Sequence, residues 1–199
     1  MVEFKLFNKW DSTKIIVEDP GLKKYINLSP VLVPRSFGRN NNQRFLKSKS
    51  HIVERLMNKL MVAGHKGKGH FRSSGHTTGK VGNVYGAVQK CFEIIENETK
   101  QNPIQVFIKA LENAAPREEI TAIEYGGARY PQAVDCAPQR RIDIALRQFA
   151  QGTYGKCFAK KKSLPKALSE ELLNAYKIDQ ASQAISKKLE LERQATSSR

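Results

Sequence analysis

Between residues 20 and 92 the chain carries fourteen lysines and arginines against a single acid, Glu54. A segment so one-sided repels itself when compacted, so any fold must turn its charge outward, toward solvent or a polyanion. The flanking blocks are nearly balanced: residues 1 to 19 sum to −1 and residues 93 to 199 to +3, within a total of +15 on 199 residues. A surface that only solubilises interleaves both signs, whereas this one excludes acids, as nucleic-acid-binding surfaces do. With 40% hydrophobic residues the chain can close a core, and its length suits one domain plus an extension of about 40 to 50 residues.

The same residues exclude other classes. No run reaches the roughly 18 apolar residues of a membrane span, and the opening MVEFKLFNKWDS is broken by Lys5, Asn8, Lys9 and Asp11, so neither a membrane nor a secreted protein is expected. Cys91, Cys136 and Cys157 form no CxxC pair, which argues against a disulfide framework or a cysteine zinc site. A reducing, intracellular compartment fits them best.

The organisation is mainly α. Residues 20 to 46, PGLKKYINLSPVLVPRSFGRNNNQRFL, hold three prolines and a triple asparagine without helical period, so they read as an extended segment that buries too little to order itself. We take residues 1–46 as an N-terminal extension ordered partly by RNA, and 47–199 as the helical domain. Val53, Leu56, Met57 and Leu60 mark the first of about six helices, with Gly64 as a stop. The second buries Val81, Val84, Tyr85, Val88, Phe92 and Ile95. The third opens with Asn102 as cap, Pro103 at the first helical position and Gln105 reaching back as in a capping box. A fourth runs from Pro138 to about Gly152 on Ile142, Ala145, Leu146 and Phe149. The fifth starts near Ser163, and the sixth, from about Ala181, has so few apolar anchors that it needs a partner. Between the third and fourth, at about 118–135, Gly126 and Gly127 supply a tight turn between two alternating runs, a β-hairpin whose return strand Pro131 marks as an edge. It should protrude as an arm.

No constellation points to catalysis or a cofactor. The loop AGHKGKGHFRSSGHTTGK, 63 to 80, resembles a phosphate loop only superficially: three residues separate Gly75 from Gly79, and Val81 stands where magnesium needs Ser or Thr. His65, His70 and His76 share no helical face and have no nearby acidic or Cys partner, so no metal is expected. The loop suits backbone approach to phosphates, with Phe71 free to stack. Glu118 with Glu119 and Glu170 with Glu171 sit at element ends and read as punctuation. Cys91 reads as a small core residue. In the fourth helix Arg140, Arg141 and Arg147 form a basic face diluted only by Asp143, suited to forked contacts with phosphate. Arg129 is the parallel case at the hairpin tip.

Three segments then carry a family likeness. NPIQVFIKALENAAPREE at 102 to 119, YGGARYPQAVD at 125 to 135 and APQRRIDIALR at 137 to 147 resemble the central signature of the universal small-subunit ribosomal protein seven family. GLKKYINLSPVLVPRSFGR, VERLMNKLMVAGHKGKGHFRSSG and AISKKLELERQATSSR are similar to its archaeal and eukaryotic branch, which includes the eukaryotic small-subunit protein five. The resemblance implies a helical bundle with a hairpin arm that binds 16S-type rRNA, nucleates the subunit head (the 3′ major domain), and lies near messenger RNA and exit-site tRNA. It implies rRNA contact for Arg55 and Lys59 and for Arg140 and Arg141. The basic stretch adds Arg35, Arg39, Arg44, Lys47, Lys49, Lys66, Lys68, Arg72 and Lys80, and the fourth helix adds Arg147. Gly126, Gly127 and Arg129 are implied to face messenger or tRNA, and Lys187, Lys188, Arg193 and Arg199 belong to a final helix approaching tRNA. Neighbouring proteins of the head and platform would complete the partners, with no membrane and no cofactor.

The alternative is an architectural DNA-binding protein with a basic β-arm. Against it, benders carry an apolar wedge at the tip, where this chain offers Gly126, Gly127 and Ala128.

Overall fold

A computed structural model describes residues 4–62 and 78–199. The order is α1 (Pro20–Lys23), α2 (Ile52–Leu60), α3 (Val81–Thr99), α4 (Pro103–Ala114), β1 (Glu118–Tyr125), β2 (Ala128–Asp135), α5 (Pro138–Cys157), α6 (Leu164–Tyr176) and α7 (Gln183–Thr196). The six expected helices are α2 to α7, and the hairpin falls between α4 and α5 because the one-turn α1 carries no periodic signal.

Helix α6 sits centrally, packed against α3, α4 and α5. Its Leu168 and Leu172 join Val88, Phe92, Phe107, Ile108, Leu146 and Phe149 in one core; each large apolar side chain removed from water contributes about 2 kcal/mol. An aromatic cluster closes one end, with Trp10 and Phe92 edge-to-face at 5.7 Å and Phe7 against Tyr85 at 4.7 Å.

That cluster shows that the N-terminal segment is part of the core. Leu6, Phe7, Trp10, Leu22 and Ile26 are all buried. Between these anchors, polar bonds lay residues 11–19 along α4. Asn102 Nδ2 donates to Asp11 O at 2.8 Å, Gln105 both accepts from Ile16 N and donates to Ile16 O at 3.0 Å, and Glu112 Oε1 accepts from the amides of Glu18 and Asp19. Gln105 therefore does not close a capping box. Asn102 alone caps α4, accepting from Ile104 N at 3.0 Å, because the strap competes for the Gln105 amide.

Gly152 does not end a helix either, for α5 continues to Cys157. The glycine is there for space: a Cβ on it would lie 2.8 Å from Glu171 Oε1. Glu171 is fully buried, held by Lys156 Nζ at 2.6 Å and by Ser182 Oγ at 2.8 Å.

The arm is a two-stranded antiparallel hairpin. Its register pairs Tyr125 with Ala128 across Gly126 and Gly127, whose φ values of +58° and +80° suit a two-residue turn. Every residue from 121 to 132 is exposed, so the arm projects as expected. Helix α7 finds its partner inside the chain: it packs on β1 and α5, burying Ala184, Ile185 and Ala195.

Candidate nucleic-acid interface

The basic stretch assembles around α2. After Pro34 the chain crosses α2 and is tied there by Glu54, whose Oε1 accepts from Ser36 N at 2.8 Å and Ser36 Oγ at 2.6 Å. The one acid of residues 20 to 92 is thus 7% exposed and spent inside. Beside it opens a groove of about 480 Å³ lined by Arg35, Phe37, Lys47, Arg55, Lys59 and Asp143, among others.

Asp143 of α5 organises the groove. It takes Arg55 Nη2 at 3.1 Å and pairs with Lys47. Desolvation pushes its carboxyl up, yet the bonds from Lys47 and Arg55 outweigh this and hold it below the ordinary value. Lys59 is shifted down by burial, against the pull of Asp143 and with the added repulsion of Arg147, Lys47 and Arg55. Lys47, Arg55 and Lys59 therefore share one carboxylate, with the charge of Arg147 added beside Lys59, and the groove is short of negative charge. Arg55 is the innermost, with Nη1 donating to Tyr25 O at 3.1 Å.

Around the groove Arg35, Arg39, Arg44, Lys49, Lys80 and Arg147 are exposed, and among the described residues none of them forms an ion pair. The Arg35 guanidinium lies 4.5 Å over the Phe37 ring. Lys66, Lys68 and Arg72, with His65, His70, Phe71 and His76, lie outside the described residues.

The expected arginine face of α5 divides. Arg140 grips Glu119 of β1 through both Nε and Nη2, the latter at 2.6 Å. Arg141 donates to Pro116 O at 3.0 Å and to Asp19 Oδ2 at 2.8 Å. One arginine ties the arm to the bundle and the other ties the strap, which leaves Arg147 as the one of the three that forms no ion pair among the described residues.

On the arm, the register separates two chemistries. Glu124 opposes Arg129, with 3.6 Å between their charged atoms, while the other face presents Ile123, Tyr125 and Tyr130, all exposed. Alternation about the Gly126 to Gly127 turn was the signal that could have found this aromatic face. Against the expectation of a bare tip, these rings stand just behind the turn.

The cations of α7 and of the residues after it have distinct environments. Lys187 pairs with Glu190 at 2.9 Å. Lys188 is half-buried and donates to Asn113 O at 2.8 Å, and burial pushes its ammonium below the usual range. Arg199 pairs with Glu118 at the base of the arm, near the place where Glu192 accepts from Arg117 N at 3.0 Å. Arg193 is exposed.

Nothing described resembles a reaction centre. Cys91 is buried and its thiol is pushed up by burial. Burial, with Glu119 beside it, raises Cys136 to about 12. Among the described residues there is no group of three or more His, Cys, Asp or Glu that could hold a metal ion, and no helix is long and apolar enough to cross a membrane.

The chain matches the family described as ribosomal protein S7p/S5e over residues 22–199. It is 54% identical over 198 residues to the small ribosomal subunit protein uS7 of Nanoarchaeum equitans, with 100% of both chains covered. The protein of the same name from Methanococcus aeolicus is 47% identical over 199 residues, again covering 100% of each. That of Methanosphaera stadtmanae is 46% identical over 98% of this chain and 99% of its own.

Proposed function

Because the chain belongs to the ribosomal protein S7p/S5e family, which is not an enzyme family, and is a structural constituent of the small ribosomal subunit, we propose the following division of its surface. The groove around Asp143 and the exposed cations beside it dock on small-subunit rRNA and nucleate the subunit head. The arm and α7 face messenger RNA and exit-site tRNA, and the remaining surface meets neighbouring proteins of the head and platform.

The observation that carries the rRNA reading is the arrangement of Lys47, Arg55 and Lys59 around a single carboxylate, with Arg147 beside Lys59, on a surface whose other acid, Glu54, is buried. Such a groove gains most when phosphate supplies the missing charge and releases counterions. Structured RNA is then recognised by shape, with basic side chains reading the backbone. If roughly eight phosphates are neutralised, affinity falls about 10⁴-fold over a fourfold rise in salt.

Two measurements test this. Sucrose-gradient fractionation should find the protein in small-subunit fractions, retained through a mild salt wash; its absence there would sink the reading. Competition between a folded rRNA fragment and duplex DNA should favour the RNA, and equal affinity would return the architectural DNA-binding reading.

A further inference from the structure

Two phenylalanines of the basic stretch stand in the wrong place for core residues. Phe37 is 73% exposed and Phe45 is 67% exposed, whereas Phe7 and Trp10, earlier in the chain, are buried in the core. Both also occupy left-handed backbone, Phe37 at φ +52° and Phe45 at φ +67°. That region is the natural place for glycine, and a side chain with a Cβ is strained there. The chain thus holds an aromatic residue at a costly backbone position and turns its ring to water, twice within nine residues.

The surroundings of the two rings are alike. Phe37 borders the cationic groove of Arg35, Lys47 and Lys59, with the Arg35 guanidinium already stacked on one face of its ring. Phe45 borders a second concavity of about 350 Å³, lined by Asn40, Gln43, Arg44, Lys47 and Gln139. Each ring therefore stands beside cations that suit a phosphate, and Phe45 also has side-chain amides that suit a base edge. No exposed carboxylate lies in residues 20 to 62, since Glu54 is the only acid there and is buried.

We infer that Phe37 and Phe45 are stacking platforms for two unpaired bases of the small-subunit rRNA, with Arg35 and Arg44 on the adjoining phosphates. The inference rests on the rRNA-docking reading of this surface and adds to it the class of nucleotide taken: bases splayed out of helix, not the backbone of a regular duplex. Stacking on an aromatic face is tolerant of base identity, so these positions fix register without reading sequence.

The test uses the full-length protein and a transcript of the 3′ major domain of small-subunit rRNA. Phe37→Leu and Phe45→Leu keep an apolar side chain and remove the π-face, and each should weaken binding roughly tenfold. The slope of log affinity against log salt should stay unchanged, because no cation is lost. Phe37→Trp should bind as the parent does, with its added indole fluorescence quenched in the complex. Arg39→Ala, by contrast, should lower the slope by about 1. Because both rings are exposed, the thermal midpoints of the Leu variants should match the parent.

Leu variants that bind like the parent overturn the inference, and so does a loss that changes the salt slope. Leu variants that bind the transcript normally yet drop out of assembled subunits also overturn it, and assign the rings to a neighbouring protein. Failure of the unmodified protein to bind the transcript at all rejects the rRNA reading itself, a result distinct from any of these.

Discussion

Arg141 Nη2 lies 2.8 Å from Asp19 Oδ2, which joins the start of α5 to the N-terminal strap 122 residues earlier. Desolvation alone would raise Asp19, but the bonds from Arg141 and Gly21 N hold its carboxyl below the ordinary value. A basic residue expected on RNA is therefore a structural tie.

Arg141→Ala should lower stability by about 2 to 3 kcal/mol, because it strands a half-buried carboxylate and the carbonyl of Pro116. Arg147→Ala should leave the urea midpoint alone and reduce the salt slope of rRNA binding by about 1. Urea unfolding and salt-dependent binding, run on both variants, separate the two roles; equal effects on stability would refute the distinction.

Gly152→Ala should cost about 2 kcal/mol or more, since the new methyl meets the buried Glu171 carboxylate at under 3 Å. Glu171→Ala removes that obstacle. The double variant should then be more stable than the sum of the single losses implies, and a double-mutant cycle in denaturant reads the difference.

His51 caps α2 through Nδ1, which accepts from Val53 N at 3.2 Å, and burial lowers its pKa to about 4. The folded protein thus holds the neutral imidazole, and its stabilisation is complete above the unfolded pKa of about 6.5. It is lost as pH falls from there toward 4, by on the order of 3 kcal/mol. Asp19 and Asp143, held low, lose their share only below the ordinary carboxylate range. His51→Asn, which keeps a cap acceptor, should flatten the upper phase in acid titrations of stability and leave the lower one.

Shortening the arm by replacing residues 121 to 132 with Asn-Gly should leave the thermal midpoint essentially unchanged, because none of those residues is buried. Subunit incorporation should persist while binding of messenger RNA or exit-site tRNA to the assembled subunit weakens. A large fall in the midpoint would show that the arm braces the bundle.

The helices were readable because each buries a stripe at helical spacing: Ile104, Phe107, Ile108 and Leu111 on α4 are all fully buried. The arm was readable from Gly126 and Gly127. The strap was not, because Gln105, Glu112 and Asn102, which hold it, look like any polar helix surface. The ties of the basic face were hidden for another reason. Arg140 meets Glu119 at 21 positions and Arg141 meets Asp19 at 122, and no local pattern distinguishes an arginine with a distant acid from one awaiting phosphate. Asp143 looked like a dilution of positive charge and is its organiser.

The base of the arm is clasped by α7 and the residues that follow it, through Arg199 on Glu118 and Glu192 on Arg117 N, contacts that span 81 and 75 residues. A hairpin closes on itself within microseconds once its strands exist, but these clasps wait for Glu192 and Arg199, which lie 57 and 64 residues beyond the end of β2. The arm is therefore formed early and its aim completed late. Its bearing is set in two stages: the tie of Arg140 to Glu119 is available as soon as α5 begins, whereas the clasps of Glu192 and Arg199 close only after α7 has been made.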